Sequence, residues 1–180
     1  MRVWLWLAAL SASLSGGLLF VSTAGAGPVQ GQYSMALDIQ EASVARGGEF
    51  SMDVSLDPAG MPAYQGAQWW VSYDPAFVEI VSVAPAAGAP GECNLRSIRP
   101  ESVLMGCIDL AGPNLNYGGA AFRVRARCLQ DSTLRIELYE PETFVSDGMD
   151  NQPVHFHGDE VVCGAGGAVV VATPPTVSPA

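Results

Sequence analysis

Few residues in this chain have the types and spacing that chemistry needs. Its only two histidines, His155 and His157, alternate with other residues in the segment VHFHGDE, and Asp159 follows at the next alternate position. On an extended segment alternate side chains share a side, so these three could offer two imidazoles and a carboxylate to a metal ion. The same pattern also describes two solvated histidines at a strand edge, and that is the expectation. A hydrolase triad built on them would lack a nucleophile, because no G-x-S-x-G elbow occurs. Asp147, Asp150 and Asp159 carry hard oxygens that suit calcium, but the twelve-residue EF-hand spacing fails. A polar turn is expected there, with a structural calcium as the alternative. No catalytic residue and no cofactor are expected.

Two further patterns bear on binding. Arg123, Arg125 and Arg127 alternate in AAFRVRARC, which puts three cations on one side of a strand. In an acidic chain they are expected to pair with Asp or Glu on neighbouring strands rather than to hold an anion. Trp69 and Trp70 are adjacent in QWWVSYDP, so on a strand they point to opposite faces. Trp69 shares its side with Val71 and Tyr73 and belongs in the core. Trp70, with Gln68 and Ser72, is expected on the outer surface, where a rigid aromatic stacks on a sugar or anchors a protein contact. Cover by a loop such as residues 85–91 is the alternative for Trp70.

Strands must position these residues. Residues 34–40 (SMALDIQ), 49–57 (EFSMDVSLD), 64–74, 120–128 (AAFRVRARC) and 132–140 (STLRIELYE) all alternate apolar with polar. Pro75 ends the third of these, and residues 77–83 resume it with β-branched side chains. Residues 94–98 and 103–110 read as a hairpin about Pro100, and residues 154–157 and 168–171 as two last strands. Outside the leading residues no helical period is sustained. About nine short strands with turn signals between them predict an all-β fold, an antiparallel sandwich or barrel.

Residues 1–26 have a short positive start, an apolar run and the small-residue pattern Ala24-x-Ala26. These features predict a cleaved signal peptide, a membrane anchor being the alternative. A leader at 27–33, one domain at 34–171 and a Thr/Pro-rich tail or linker at 172–180 follow. The mature chain is expected to be exported, with no membrane insertion. Its formal charge of −10, with no lysine, becomes one unit more negative once Arg2 is removed. Such a surface repels nucleic acid and anionic membranes.

Four cysteines and no C-x-x-C pair favour disulfides in an exported protein. Three connectivities are open. Cys93 and Cys107 are symmetric about the Pro100 turn, which sets them across from each other on neighbouring strands. Cys93–Cys107 is therefore expected, and Cys128–Cys163 by elimination.

The motifs YDPAFVEIVSV (73–83), GGAAFRVRA (118–126) and FVSDGMDNQPVHFHGDEVVCGAGGAVVV (144–171), in this order, resemble the cohesin domain. The resemblance spans residues 34–171. It implies a nine-stranded antiparallel jelly-roll β-sandwich that binds a dockerin module without catalysing a reaction. It also implies a binding face on the outer side of the sheet ordered 8-3-6-5. Gly66, Gln68 and Trp70 match the outward strand-three positions that meet dockerin, with Ser72 next along. Arg135, Glu137 and Tyr139 are outward on strand eight. Cohesins often carry Asn or Asp where this chain has Gly66 and Gln68, and two disulfides are not general in the family.

The expected function is therefore a secreted cohesin-like module mediating dockerin-type attachment in an extracellular, polysaccharide-related assembly. The alternatives are a carbohydrate-binding module that stacks glycans on Trp70, and a structural domain of a cell-surface protein.

Overall fold

The computed structural model of the protein describes residues 32–164 and 169–171. The expected signal peptide, most of the leader and the tail lie outside the described residues. In chain order the strands are β1 (Tyr33–Ile39), β2 (Ser43–Val44), β3 (Glu49–Asp57), β4 (Gly66–Ser72), β5 (Val78–Pro85), β6 (Cys93–Arg99), β7 (Ser102–Ile108), β8 (Gly119–Cys128), β9 (Ser132–Leu138), β10 (Phe144–Ser146), β11 (Asn151–Gln152), β12 (Val154–His157), β13 (Asp159–Cys163) and β14 (Val169–Val171). A single 3-10 turn, Glu140–Glu142, separates β9 from β10. Several of the strands are only two to four residues long, which is why they outnumber the nine expected.

The architecture is an all-β sandwich. The first sheet runs β12-β1-β3-β8-β5. In the second, β4 pairs with β7 along its whole length, and β6 lies beyond β7. The other edge of β4 is shared, β10 pairing with Gly66 to Gln68 and β9 with Val71 and Ser72. β13 and β2 continue the sheet. The alternating residues seen in the sequence do fill the space between the sheets. Met35, Met52, Val54, Trp69, Met105, Phe122 and Val124 are all fully buried. Trp69 of one sheet meets Phe122 of the other edge-on at 5.8 Å, and its Nε1 donates to the Ser55 carbonyl at 3.2 Å. A buried indole is stable only when its N–H finds such an acceptor.

Both disulfides tie this frame. Cys93 and Cys107 face each other on β6 and β7, across the two-residue turn Pro100-Glu101, and are bonded. Cys128 on β8 is bonded to Cys163 on β13, so the second bridge joins the two sheets.

The pairing is not wholly antiparallel. β1 and β12, β2 and β13, and β9 and β14 run parallel. The first two of these follow from one crossing. β12 and β13 are a single extended stretch broken at Gly158, so that β12 joins the first sheet and β13 the second. A Cβ at Gly158 would stand 2.7 Å from the Ile136 carbonyl oxygen, closer than carbon and oxygen tolerate. Only glycine lets the chain pass there.

Candidate functional site

Strand alternation gives the second sheet an inner and an outer face. Ala67, Trp69 and Val71 of β4 point inward, as do Val103, Met105 and Cys107 of β7. Cross-strand partners share a face, so the outer side is built from Gly66, Gln68, Trp70 and Ser72 of β4 with Ile108, Gly106, Leu104 and Ser102 opposite them on β7. Leu95, Ser97 and Arg99 of β6 continue it on one side, and Phe144 of β10 with Arg135, Glu137 and Tyr139 on the other. The order β9/β10, β4, β7, β6 brings together every residue that the resemblance assigned to the binding face.

Their exposure differs from the expectation. Trp70 does point away from the core, but it is only 9% exposed and therefore not an open platform. Residues of its own sheet cover it. The Arg99 guanidinium lies 5.0 Å from the centroid of its ring, and Tyr139 packs against it edge-on at 6.1 Å. Tyr73, at the end of β4, holds the hairpin that delivers Arg99, since its hydroxyl donates to the Arg99 carbonyl at 2.7 Å. Tyr139 is fixed by its own N–H, which donates to the Trp70 carbonyl at 2.8 Å. On the other side the Trp70 N–H donates to Thr143 Oγ1.

Ser72 is also a correction, because it is 3% exposed rather than on the surface. Neither Trp70 Nε1 nor Ser72 Oγ has a hydrogen-bond partner among the described residues, although both atoms are buried. Gly66 and Gln68 are half-buried, and Gln68 spends its side-chain amide on the Glu142 carbonyl at 2.8 Å. Arg135 and Glu137 pair with each other at 2.8 Å on one strand, well exposed.

The face also carries apolar residues that the sequence reading did not single out. Leu95 and Ile108 are each 48% exposed, and Leu104 and Phe144 are half-buried beside them. Leu95 lies over Gly106, where an added Cβ would meet its side chain at 3.2 Å. The parity of Cys107 carried the missing signal. If Cys107 faces inward, Leu104 and Ile108 on the same strand must face out.

The outer face of the first sheet is its opposite in character. Arg123 meets Asp53 at 2.7 Å, and Arg127 meets Glu49 at 2.8 Å and Glu79 at 2.9 Å, while Arg125 also pairs with Glu49. Arg123 and Asp53 are direct cross-strand partners, as are Arg127 and Glu49. The hydrogen bond from Arg127 holds the Glu49 carboxyl below its ordinary value, and the bond to Asp53 raises the Arg123 guanidinium. This ladder is the cross-strand pairing expected, with no cation left over for an anion.

The residues suggested for a metal are not assembled. His155 and His157 are exposed on β12 in the first sheet, with ring centroids 6.4 Å apart. Asp159 lies past the Gly158 crossing, in the second sheet, and accepts from the Ile39 N–H at 2.7 Å. Asp147 closes its own loop, accepting from the N–H groups of Asp150 and Met149 and from the Gln152 amide. The backbone N–H bonds, Asp150 first and then Met149, hold its carboxyl below the usual range. Among the described residues no group of three or more His, Cys, Asp or Glu could hold a metal ion.

No protein-family model matches the chain. No curated protein matches it either. Solved structures do. A chain of the CaDoc0917–CaCohA2 complex aligns with a TM-score of 0.62 at 9% identity, covering 73% of this chain and 99% of that one. A chain of the Coh-OlpA–Doc918 type I cohesin–dockerin complex from Clostridium thermocellum aligns at 0.56 and 11%, covering 73% and 99%. The cohesin module of a Clostridium perfringens family 33 glycoside hydrolase aligns at 0.58 and 12%, covering 74% and 96%. At such low identity the likeness concerns the backbone. The chain has a cohesin-like fold.

Proposed function

We propose that this chain is a secreted, non-catalytic binding module that takes a dockerin-type protein partner on the outer face of its second sheet, within an extracellular polysaccharide-related assembly. The observation that carries the reading is the contrast between the two outer faces. One is closed by an arginine–carboxylate ladder, while the other presents Leu95 and Ile108 beside Leu104 and Phe144. Apolar side chains gathered on the face turned away from the core do nothing for the core, and such a patch supports a docking role. A stable interface buries on the order of 800 Å² per partner, which one sheet face can supply. The fold supports the same partner class, since a similar structure is a cohesin–dockerin complex. Two disulfides fit an oxidising compartment. Glycan stacking on Trp70 is disfavoured by the arginine that occupies its ring face.

Titration of the chain against a panel of dockerin modules tests the reading, alongside retention on cellulose, xylan and chitin. Dockerin binding that Ile108→Glu abolishes without lowering the melting temperature supports it. Retention on a polysaccharide with no dockerin bound would replace it with the carbohydrate-binding reading.

A further inference from the structure

β6 is a free edge of the second sheet. Among the described strands it pairs only with β7, so its far side carries backbone N–H and C=O groups that no strand satisfies. Across from it stands β5, the edge of the first sheet. Between the two edges runs a groove of about 600 Å³ lined by Tyr73, Val78, Ile80, Ile98 and Leu129, with Arg99 and Glu79, the latter already paired with Arg127, also on its wall. Ile98 stands at its rim, 51% exposed.

Charge selects what could fill this edge. Arg123, Arg125, Arg127 and Arg135 all pair with carboxylates, and Arg46 donates to the Leu129 carbonyl. Among the described arginines Arg46, Arg96 and Arg99 have no carboxylate, and Arg96 and Arg99 are neighbours on one strand edge. Arg96 reaches no further than the Asn94 carbonyl, at 3.4 Å, and Arg99 rests on Trp70. Both belong to β6. A chain of formal charge −10 thus places two of the three described arginines that lack a carboxylate on a strand with open backbone.

We infer that β6 accepts an extended acidic peptide segment as an added strand. Strand alternation turns Arg96 and Ile98 to one side of β6, where Ile98 lines the groove, and Arg99 to the outer side. An added strand would therefore set a carboxylate opposite Arg96, an apolar side chain opposite Ile98 and a second carboxylate opposite Arg99. Backbone hydrogen bonds hold such a segment, and the side chains at these three places choose it. Read from the N-terminus of a segment running parallel to β6, the pattern is acid, any residue, apolar, acid. The site uses the strand edge and the groove, and meets the outer face assigned to a dockerin-type partner only at Arg99.

A short peptide with the run glutamate, threonine, valine, glutamate, flanked by threonines, is the probe, read by heteronuclear NMR on the intact chain. Its addition should shift the amides of residues 94–99 and saturate. Arg96→Glu should weaken it at least about tenfold, by turning an attractive cross-strand pair into a repulsive one. The same variant should accept a peptide with lysines in place of the glutamates. Methylating alternate peptide amides should abolish binding. An absent shift at β6, equal binding of the lysine peptide to the wild type, or indifference to Arg96→Glu each overturns the inference. Edge charges also serve to repel other strands. If that is their role here, Arg96→Ser will self-associate while the wild type ignores the glutamate peptide, and the inference fails.

Discussion

Arg99 and Trp70 come from different strands with β7 between them, yet the guanidinium lies 5.0 Å from the centre of the indole. The contact depends on the short Pro100-Glu101 turn. The Glu101 carbonyl accepts the Tyr73 N–H at 3.1 Å and the Arg99 carbonyl accepts the Tyr73 hydroxyl, so the hairpin end is fixed to the end of β4. The long arginine side chain then runs back over the sheet with its charged head on the ring. The result is an aromatic on the outer face that is reached only when an arginine moves.

Arg99→Ala should expose that ring. A cation over an indole contributes about 0.5–1 kcal/mol at a partly exposed site, so the loss of stability should be small. Trp70 emission should shift to the red and become more accessible to acrylamide, whereas Trp69, fully buried, should not respond. An unchanged spectrum would mean that Tyr139 alone covers the indole. Cellulose or xylan retention gained by this variant would show that the arginine is what keeps glycans away.

The two disulfides should differ in worth. Closing a longer loop removes more freedom from the unfolded chain, and the sequence separations are 35 for Cys128–Cys163 and 14 for Cys93–Cys107. The chain-entropy relation gives roughly 4 kcal/mol for the first and roughly 3 kcal/mol for the second. Urea unfolding of the two paired Cys→Ala variants measures this. The Cys128–Cys163 variant should lose more, because that bridge also joins β8 of one sheet to β13 of the other. An equal loss from both would contradict the loop-length account.

Alkali should unfold the domain through Tyr64. Its ring is buried against Tyr33, and its hydroxyl donates to the Tyr117 carbonyl at 3.0 Å. Burial, with smaller contributions from Tyr33 and Tyr117, pushes its pKa up to about 12. In the unfolded chain a tyrosine titrates near 10. Between these values the native state holds a proton that the unfolded state has released, so stability is complete below about pH 10 and falls as pH rises toward 12. Tyrosinate absorbance should therefore appear in step with unfolding in that window, and Tyr64→Phe should remove this contribution while losing the bond to Tyr117.

Alternation made much of the fold legible. The two-residue period placed Met35, Met52, Val54, Trp69, Phe122 and Val124 in the core, and the symmetry about Pro100 paired Cys93 with Cys107. Parity also put Trp70 on the correct side of its sheet. It could not say what lies over that side, because Arg99 reaches Trp70 through sheet order and a side chain's direction, neither of which leaves a local trace. The metal set failed for a similar reason. Two-residue spacing places His155, His157 and Asp159 together only if the strand is unbroken, and at Gly158 the chain changes sheets.

Ser72 separates folding from binding most sharply. Its hydroxyl is buried on the outer side of β4 with no partner among the described residues, two residues from the equally unpartnered Trp70 Nε1. A buried polar atom left unsatisfied costs about 1–3 kcal/mol, and Ser72→Ala deletes it while keeping the Cβ and nearly all the volume. The substitution should therefore stabilise the free domain, on the order of 1 kcal/mol, seen as a higher urea midpoint with an unchanged slope. If the face binds as proposed, the partner supplies the missing acceptor or donor, and the same change should weaken dockerin binding. Gain in stability with loss of affinity identifies Ser72 as a group retained for the complex. A destabilised Ser72→Ala would mean that the hydroxyl is satisfied in solution, and that this part of the face is closed.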